Sequence, residues 1–168
     1  MSAGNKVIFG TIDGILIALD RVSGKKLWSY TTDNQISGSA NLWNAAGKNG
    51  LVVGSYDFYL HCVSPETGKP MWKVETDNYV NGTPAINSGG IIFGGCDGFL
   101  RIVDPLTGRQ KDTINIGVYI AASPAISGEI VALGDYEGTL YCLNISTRKM
   151  LWRKPVTADG ASILAIPA

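Results

Sequence analysis

Apolar and polar residues alternate along this chain in short runs, and the runs return at a fixed interval. "FLRIVD", from Phe99, shows the alternation: Leu100 and Ile102 fall on one face, Arg101 and Val103 on the other. "IIFGG", from Ile91, is a β-rich run that ends in glycine. Between them stands Asp97-Gly98, which predicts a two-residue hairpin turn with positive φ at both central positions. Thr107-Gly108 marks the following turn, again with glycine where positive φ costs little. No stretch has helical length or period, so short strands joined by tight turns predict an all-β fold.

The pattern occurs four times. "DGILIALD" from Asp13, "DFYLHCVS" from Asp57, "DGFLRIVD" from Asp97 and "EGTLYCLN" from Glu137 are spaced by 44, 40 and 40 residues. Gly10, Gly54, Gly94 and Gly134 keep these offsets, as do Leu42, Ile86, Ile126 and Ile166. Such a period marks a repeat architecture. The units run over about residues 6–43, 51–87, 91–127 and 131–167, each reading as four strands, in one array. A single four-stranded sheet cannot bury both faces, and radial stacking of such sheets is a β-propeller with antiparallel blades.

The copies differ in places. The four extra residues of the first interval lie in "WNAAGKNG" and predict a longer loop there. Phe58 replaces a turn glycine; a bulky left-handed residue costs about 1–2 kcal/mol, so this turn is expected to change type. Arg148 replaces a later turn glycine, and Asp112 replaces the tryptophan that the other copies carry. The first unit opens at "KVIFG" with no inner strand before it, and the chain ends after an inner strand in "SILAIPA". This frame predicts that the last strand completes a first blade. Strand exchange at the chain ends would then give self-association, with the four repeats as half of an eight-bladed ring completed by a second chain or by further sequence. The alternative is a closed four-bladed ring.

Charge and chemistry narrow the functions. Lys and Arg balance Asp and Glu at 14 each, which gives no electrostatic case for nucleic acid or an anionic membrane. No apolar run has the roughly 18 residues of a membrane span, and "MSAGNKVIFG" lacks the apolar core of a signal peptide. Cys62, Cys96 and Cys142 fit neither a disulfide framework nor a zinc pattern; Cys62 and Cys142 share the repeat position of Ala18 and Ile102 and read as small buried residues. His61 is the one histidine, so a multi-histidine metal site is excluded within the chain, and it reads as a strand-face residue. "FGGCDG" lacks the Gly-Lys-Ser/Thr of a phosphate loop. Asn144-Ile145-Ser146 has the form of a glycosylation sequon, but Asn144 sits where other copies have a turn-capping Asp. No catalytic residue and no metal ligand is predicted. The candidate site is the mouth of the propeller channel, where loops from each outer strand to the next inner strand gather. Gln35, Tyr79, Tyr119 and Asp159 share one repeat offset there, Asn34 and Asn78 precede two of them, and Tyr56 and Phe58 add an apolar patch to the same face. Aromatic and amide groups that vary while the framework repeats suit a protein, peptide or carbohydrate ligand.

The phrase "DGILIALDRVSGKKLW" resembles the repeat of the pyrroloquinoline-quinone-like, quinoprotein-type β-propellers. Ala18, Asp20, Gly24, Lys25 and Trp28 match its pattern in the first copy, and Gly68, Lys69 and Trp72 in the second, with Ser64 in the Asp place. The third keeps Asp104, Thr107 and Gly108 but has Asp112 for Trp; the fourth keeps Trp152, with Asn144 for Asp. The resemblance spans essentially the whole chain and implies that Trp28, Trp72 and Trp152 dock adjacent blades. Members include dehydrogenases that bind the quinone and calcium on eight blades, marked by vicinal cysteines. Others are scaffolds, assembly factors or sensor domains without quinone, and many members work outside the cytoplasm. No cysteines are adjacent here, and no calcium-type carboxylate and amide set is evident, so no cofactor is expected. The expectation is a non-catalytic binding or scaffold module. The alternatives are a fragment of a quinone-dependent dehydrogenase and a sensor domain fused to a catalytic one.

Overall fold

The computed structural model describes residues 1–164, with sixteen strands and no helix among them. They form four antiparallel four-stranded sheets, each a meander in chain order. The first holds β1 (Ser2–Ala3), β2 (Lys6–Gly10), β3 (Ile15–Asp20) and β4 (Lys26–Thr31). The second holds β5 (Asn41–Ala45), β6 (Lys48–Gly54), β7 (Tyr59–Val63) and β8 (Pro70–Glu75). The third is β9 (Ala85–Asn87), β10 (Gly90–Gly94), β11 (Phe99–Val103) and β12 (Gln110–Asn115). The fourth is β13 (Ala125–Ser127), β14 (Ile130–Gly134), β15 (Thr139–Asn144) and β16 (Lys149–Pro155). These are propeller blades.

Alternation puts one apolar set on each blade face, and successive blades bury facing sets. Ile8, Leu16, Ala18 and Trp28 pack on Leu51, Val53 and Val63. Val52, Leu60 and Cys62 pack on Ile91, Phe93 and Val103. Leu100 and Ile102 pack on Val131, Leu133 and Leu143. Full burial of such a side chain stabilises by about 1.5–3 kcal/mol. The repeated glycine before each inner turn has a packing cause. A Cβ on Gly10, Gly54, Gly94 or Gly134 would fall 2.2, 2.5, 2.3 or 2.4 Å from Ile36, Val80, Ile120 or Ile163. These residues come from the connection leaving the same blade, so only glycine lets the connection fold back onto its sheet.

The outer turns are capped alike: the side chains of Asp20, Ser64, Asp104 and Asn144 accept the backbone N–H three residues on. Asn144 is therefore a turn cap. Each outer hairpin then bulges at one equivalent place, at Ala18/Leu19, Cys62/Val63, Ile102/Val103 and Cys142/Leu143, which increases local twist.

Several expectations are corrected. The inner Asp-Gly turns are four-residue loops: Gly98 N–H donates to the Gly95 carbonyl, and only the glycine is left-handed, with φ 82°. Phe58 does not change the turn type; at φ 73° it adopts the glycine conformation, with its ring 5.3 Å from that of Tyr79. Arg148 does the same at φ 58°. The extra residues in "WNAAGKNG" make no long loop, because β5 and β6 simply pair further, from Asn41↔Val52 to Ala45↔Lys48. Trp43, on that extension, is buried over Gly50, with its Nε1–H 3.3 Å from the Cys62 sulfur. The first blade has its own inner strand, since Ser2 and Ala3 pair with Val7 and Lys6. Ile166 and the end of "SILAIPA" lie outside the described residues.

The four blades form an open arc, which corrects the closed four-bladed alternative. Trp28 is 8% exposed at the first junction, but Trp152, on the far face of the fourth blade, is 47% exposed. Among the described residues Gly24 on the first blade has no atom within 4 Å of its would-be Cβ, whereas Gly68 and Gly108 each lie under an indole.

Candidate functional site

One edge of the arc is laced by its connections. Each loop leaving an outer strand bonds its own blade's inner turn: Ile36, Val80, Ile120 and Ile163 donate N–H to the carbonyls of Thr11, Ser55, Gly95 and Asp135. The same loops then accept from the next blade, because Tyr56, Cys96 and Tyr136 donate N–H to the carbonyls of Gln35, Tyr79 and Tyr119. The side chains at these positions are thus projected from a hydrogen-bonded belt.

A cavity of about 630 Å³ opens on this edge, lined by Tyr56, Asn78, Tyr79, Asn81, Cys96, Tyr119, Tyr136 and Leu164. Tyr56 and Tyr79 stack at 4.5 Å between ring centroids. Of the residues singled out in the sequence, Asn78, Tyr79 and Tyr119 come together here, with Tyr56. Asn34 and Gln35 sit one loop earlier and outside the cavity; Asn34 Oδ1 accepts from the Gln35 N–H at 2.8 Å, as Asn78 Oδ1 does from Tyr79 at 2.8 Å. Asp159 is exposed and does not share the position of Gln35, Tyr79 and Tyr119. Val156 bonds Gly138 as Thr32 bonds Gly14, but Ile163, not Gly160, occupies the place of Ile36. The fourth connection is three residues longer, so Ser162 is the structural equivalent. Asn81 and Tyr136 escaped the sequence reading because each belongs to a different loop position. The signal that could have found Tyr136 is its sharing an offset with Tyr56.

Charge on this edge is one-sided. Among the inner turns and connecting loops, the exposed ionised residues are Asp13, Asp33, Asp77, Glu137 and Asp159, and no Lys or Arg occurs in them. Three further acids, Asp57, Asp97 and Asp135, are buried there and paired. Asp57 takes the His61 Nε2 at 2.9 Å, while the Tyr30 hydroxyl of the preceding blade lies 2.9 Å from His61 Nδ1. In the neutral ring with Nε2–H donating to the carboxylate, Tyr30 O–H donates to Nδ1. Arg101 grips Asp97 with Nη1 at 2.9 Å and Nη2 at 2.7 Å. Tyr141 O–H donates to Asp135 at 2.8 Å. Burial works to raise the Asp57 carboxyl, but His61 and the amides of Asp33 and Tyr59 hold it below the usual carboxylate range. Burial likewise opposes ionisation of Asp97, and Arg101 with the Phe99 and Asp77 amides brings it below that range. Tyr141 is pushed up to about 12 by burial and by Asp135. His61 is therefore more than the strand-face residue expected: it is 4% exposed and locks two blades.

The cysteines are free and buried, and burial pushes Cys62 up to about 11. No three His, Cys, Asp or Glu side chains among the described residues gather as metal ligands.

A family model described as outer membrane protein assembly factor BamB matches the chain over residues 12–113 and 97–167. No protein of curated function matches it. Among solved structures, the computationally designed Ika8 protein superposes with a TM-score of 0.81 at 21% identity, over 98% of this chain and 50% of that one. BamB from Moraxella catarrhalis superposes with a TM-score of 0.81 at 19% identity, over 97% of this chain and 52% of that one. The chain spans about half the length of both, and at this identity the likeness speaks for the fold alone.

Proposed function

The chain belongs to the family of the outer membrane protein assembly factor BamB, and building on that we propose that it is a non-catalytic binding and scaffold module that takes a segment of a partner protein at its laced edge. The observation that carries this reading is the tyrosine-lined cavity set among loops whose charges are all acidic. Tyrosine offers a broad, stiff contact surface at little entropic cost. The exposed carboxylates favour a segment bearing Lys or Arg, through ion pairs at the rim and cation–π contacts on the rings. Asn81 adds a buried Oδ1 that lacks a hydrogen-bond partner among the described residues, and a backbone N–H of an extended segment would satisfy it. A role in assembly, the family's description, supports a protein partner.

The non-catalytic part of the reading is supported by how the carboxylates are used. Asp57, Asp97 and Asp135 are committed to His61, Arg101 and Tyr141, so they do not fit as free oxygen ligands for a calcium-bound quinone. Self-association completes the reading, since an open arc leaves two apolar blade faces uncovered.

The test is fluorescence anisotropy with a labelled Lys/Arg-containing peptide, its Glu-substituted counterpart and a neutral oligosaccharide. The basic peptide should bind, and Tyr79→Ala should weaken it about tenfold or more with little change in the unfolding midpoint, because Tyr79 is an exposed residue. Equal binding of the acidic peptide or the oligosaccharide would overturn the partner chemistry. A bound quinone absorbance band after adding pyrroloquinoline quinone with calcium would overturn the non-catalytic assignment.

A further inference from the structure

We infer that a second copy of this chain covers the open ends of the arc, the fourth blade of each copy seating on the first blade of the other. This rests on the self-association proposed above and is independent of the tyrosine cavity.

Two devices join blades inside the chain. In the first, an outer-strand indole lies on a turn glycine of the next blade and donates to a carbonyl beside it. Trp28 covers Gly68 and donates to Pro65 O at 3.2 Å; Trp72 covers Gly108 and donates to Pro105 O at 3.0 Å. In the second, an inner-turn N–H of the next blade donates to a connecting-loop carbonyl, as Tyr56 does to Gln35.

Each open end carries one unmatched half of both devices. The fourth blade presents Trp152, exposed, and the Ser162 carbonyl in the place of Gln35. The first blade presents Gly24, which no described residue covers, the Arg21 carbonyl in the place of Pro65, and Ile12 in the place of Tyr56. Among the described residues the Ile12 N–H has no partner. The apolar faces correspond too. Val7 and Phe9, 38% and 40% exposed, hold the positions where Leu51 and Val53 are fully buried under the preceding blade.

The two ends complement each other and neither complements itself, so the contact runs head to tail. A pair of copies can satisfy both ends at once about a two-fold axis, which a single open contact cannot. The arc also superposes on half of each of two longer chains, so its curvature suits an array of twice its size. The resulting ring would bring two tyrosine cavities to one mouth.

Size-exclusion chromatography with light scattering should give twice the 17.8 kDa chain mass. Trp152→Ala should weaken the dimer about 100-fold. Gly24→Asn should do the same, because asparagine tolerates the left-handed backbone while its Cβ displaces the indole. Circular dichroism should report folded protein for both variants. Mixing the two variants should restore a dimer partway, since the mixed pair keeps one intact dock with wild-type Trp152 and wild-type Gly24. A monomeric wild type would overturn self-association altogether. A wild-type dimer that both variants preserve would overturn this dock while leaving self-association standing.

Discussion

The third junction of the arc lacks the indole dock, and rebuilding it tests how blades are held. Asp112 stands where Trp28 and Trp72 stand, and Arg148 where the glycines stand; Arg148 Nε donates to Asp112 Oδ2 at 2.6 Å. Two departures that look independent in the sequence thus meet as one ion pair. Its side chains are 65% and 21% exposed, and such a pair contributes about 0–1 kcal/mol. At the other junctions a Cβ on the glycine would lie 2.6 or 2.7 Å from the indole, so the ring excludes any side chain there. The double change Asp112→Trp with Arg148→Gly should therefore recreate the dock, with Ile145 supplying the carbonyl that Pro65 and Pro105 supply elsewhere. Burying the indole contributes about 1.5–3 kcal/mol and its hydrogen bond about 1 kcal/mol. Against this stands the lost pair, up to about 1 kcal/mol. Relief of the left-handed arginine is offset by the greater unfolded-state freedom of glycine. The net expectation is a gain of about 2 kcal/mol. Asp112→Trp alone leaves its ring against Arg148, and Arg148→Gly alone loses only the pair, so neither should gain. Urea unfolding of the four proteins, analysed as a double-mutant cycle, measures the coupling. Single effects that sum to the double within about 0.5 kcal/mol would refute the account.

Two further outcomes follow from buried groups. Asp57 and Asp97 have folded pKa values below the ordinary 3.8, so their stabilisation is complete above that value and is lost as pH falls through the lowered ones. Urea midpoints should drop steeply on acidification below 3.8, and Asp97→Asn should flatten the drop; an unchanged slope would show that the Arg101 pair does not set it. A thiol reagent at neutral pH should leave native Cys62 unmodified, because burial pushes it up to about 11, and should reach Cys96, which lines the cavity, sooner. Labelling of Cys62 at the rate seen in denaturant would contradict its burial.

Much of the fold was legible because a propeller writes its packing into repeated positions. The glycine at Gly10, Gly54, Gly94 and Gly134 meets the same aliphatic contact in every blade, so one physical demand leaves four copies of one residue. Tryptophan and the turn glycine repeat for the same reason. The site was less legible because it is made of positions under no common demand. His61, Arg101 and Tyr141 occupy one offset and each holds a buried carboxylate, but with different chemistry, so no recurring residue type marks them.

The misplacement of Asp159 has a more general cause. An offset counts residues, whereas a blade counts hydrogen bonds and contacts. The two agree while every connection has one length. They part in "VTADGASI", where three additional residues fit between the bond from Val156 to Gly138 and the bond from Ile163 to Asp135. The contact of Ile163 with Gly134 restores the register, because an aliphatic side chain must fill the hollow above that glycine wherever the loop delivers it. Register therefore follows the contact and not the count, which makes Ser162, the residue before Ile163, the equivalent of Gln35. The same rule explains why the extra residues near Trp43 did no damage. They entered a hairpin tip, and the strands absorbed them by pairing further, which leaves Trp43 in the core cluster shared with Ile91, Phe93 and Val103 of the next blade, and Ala45 packed against it.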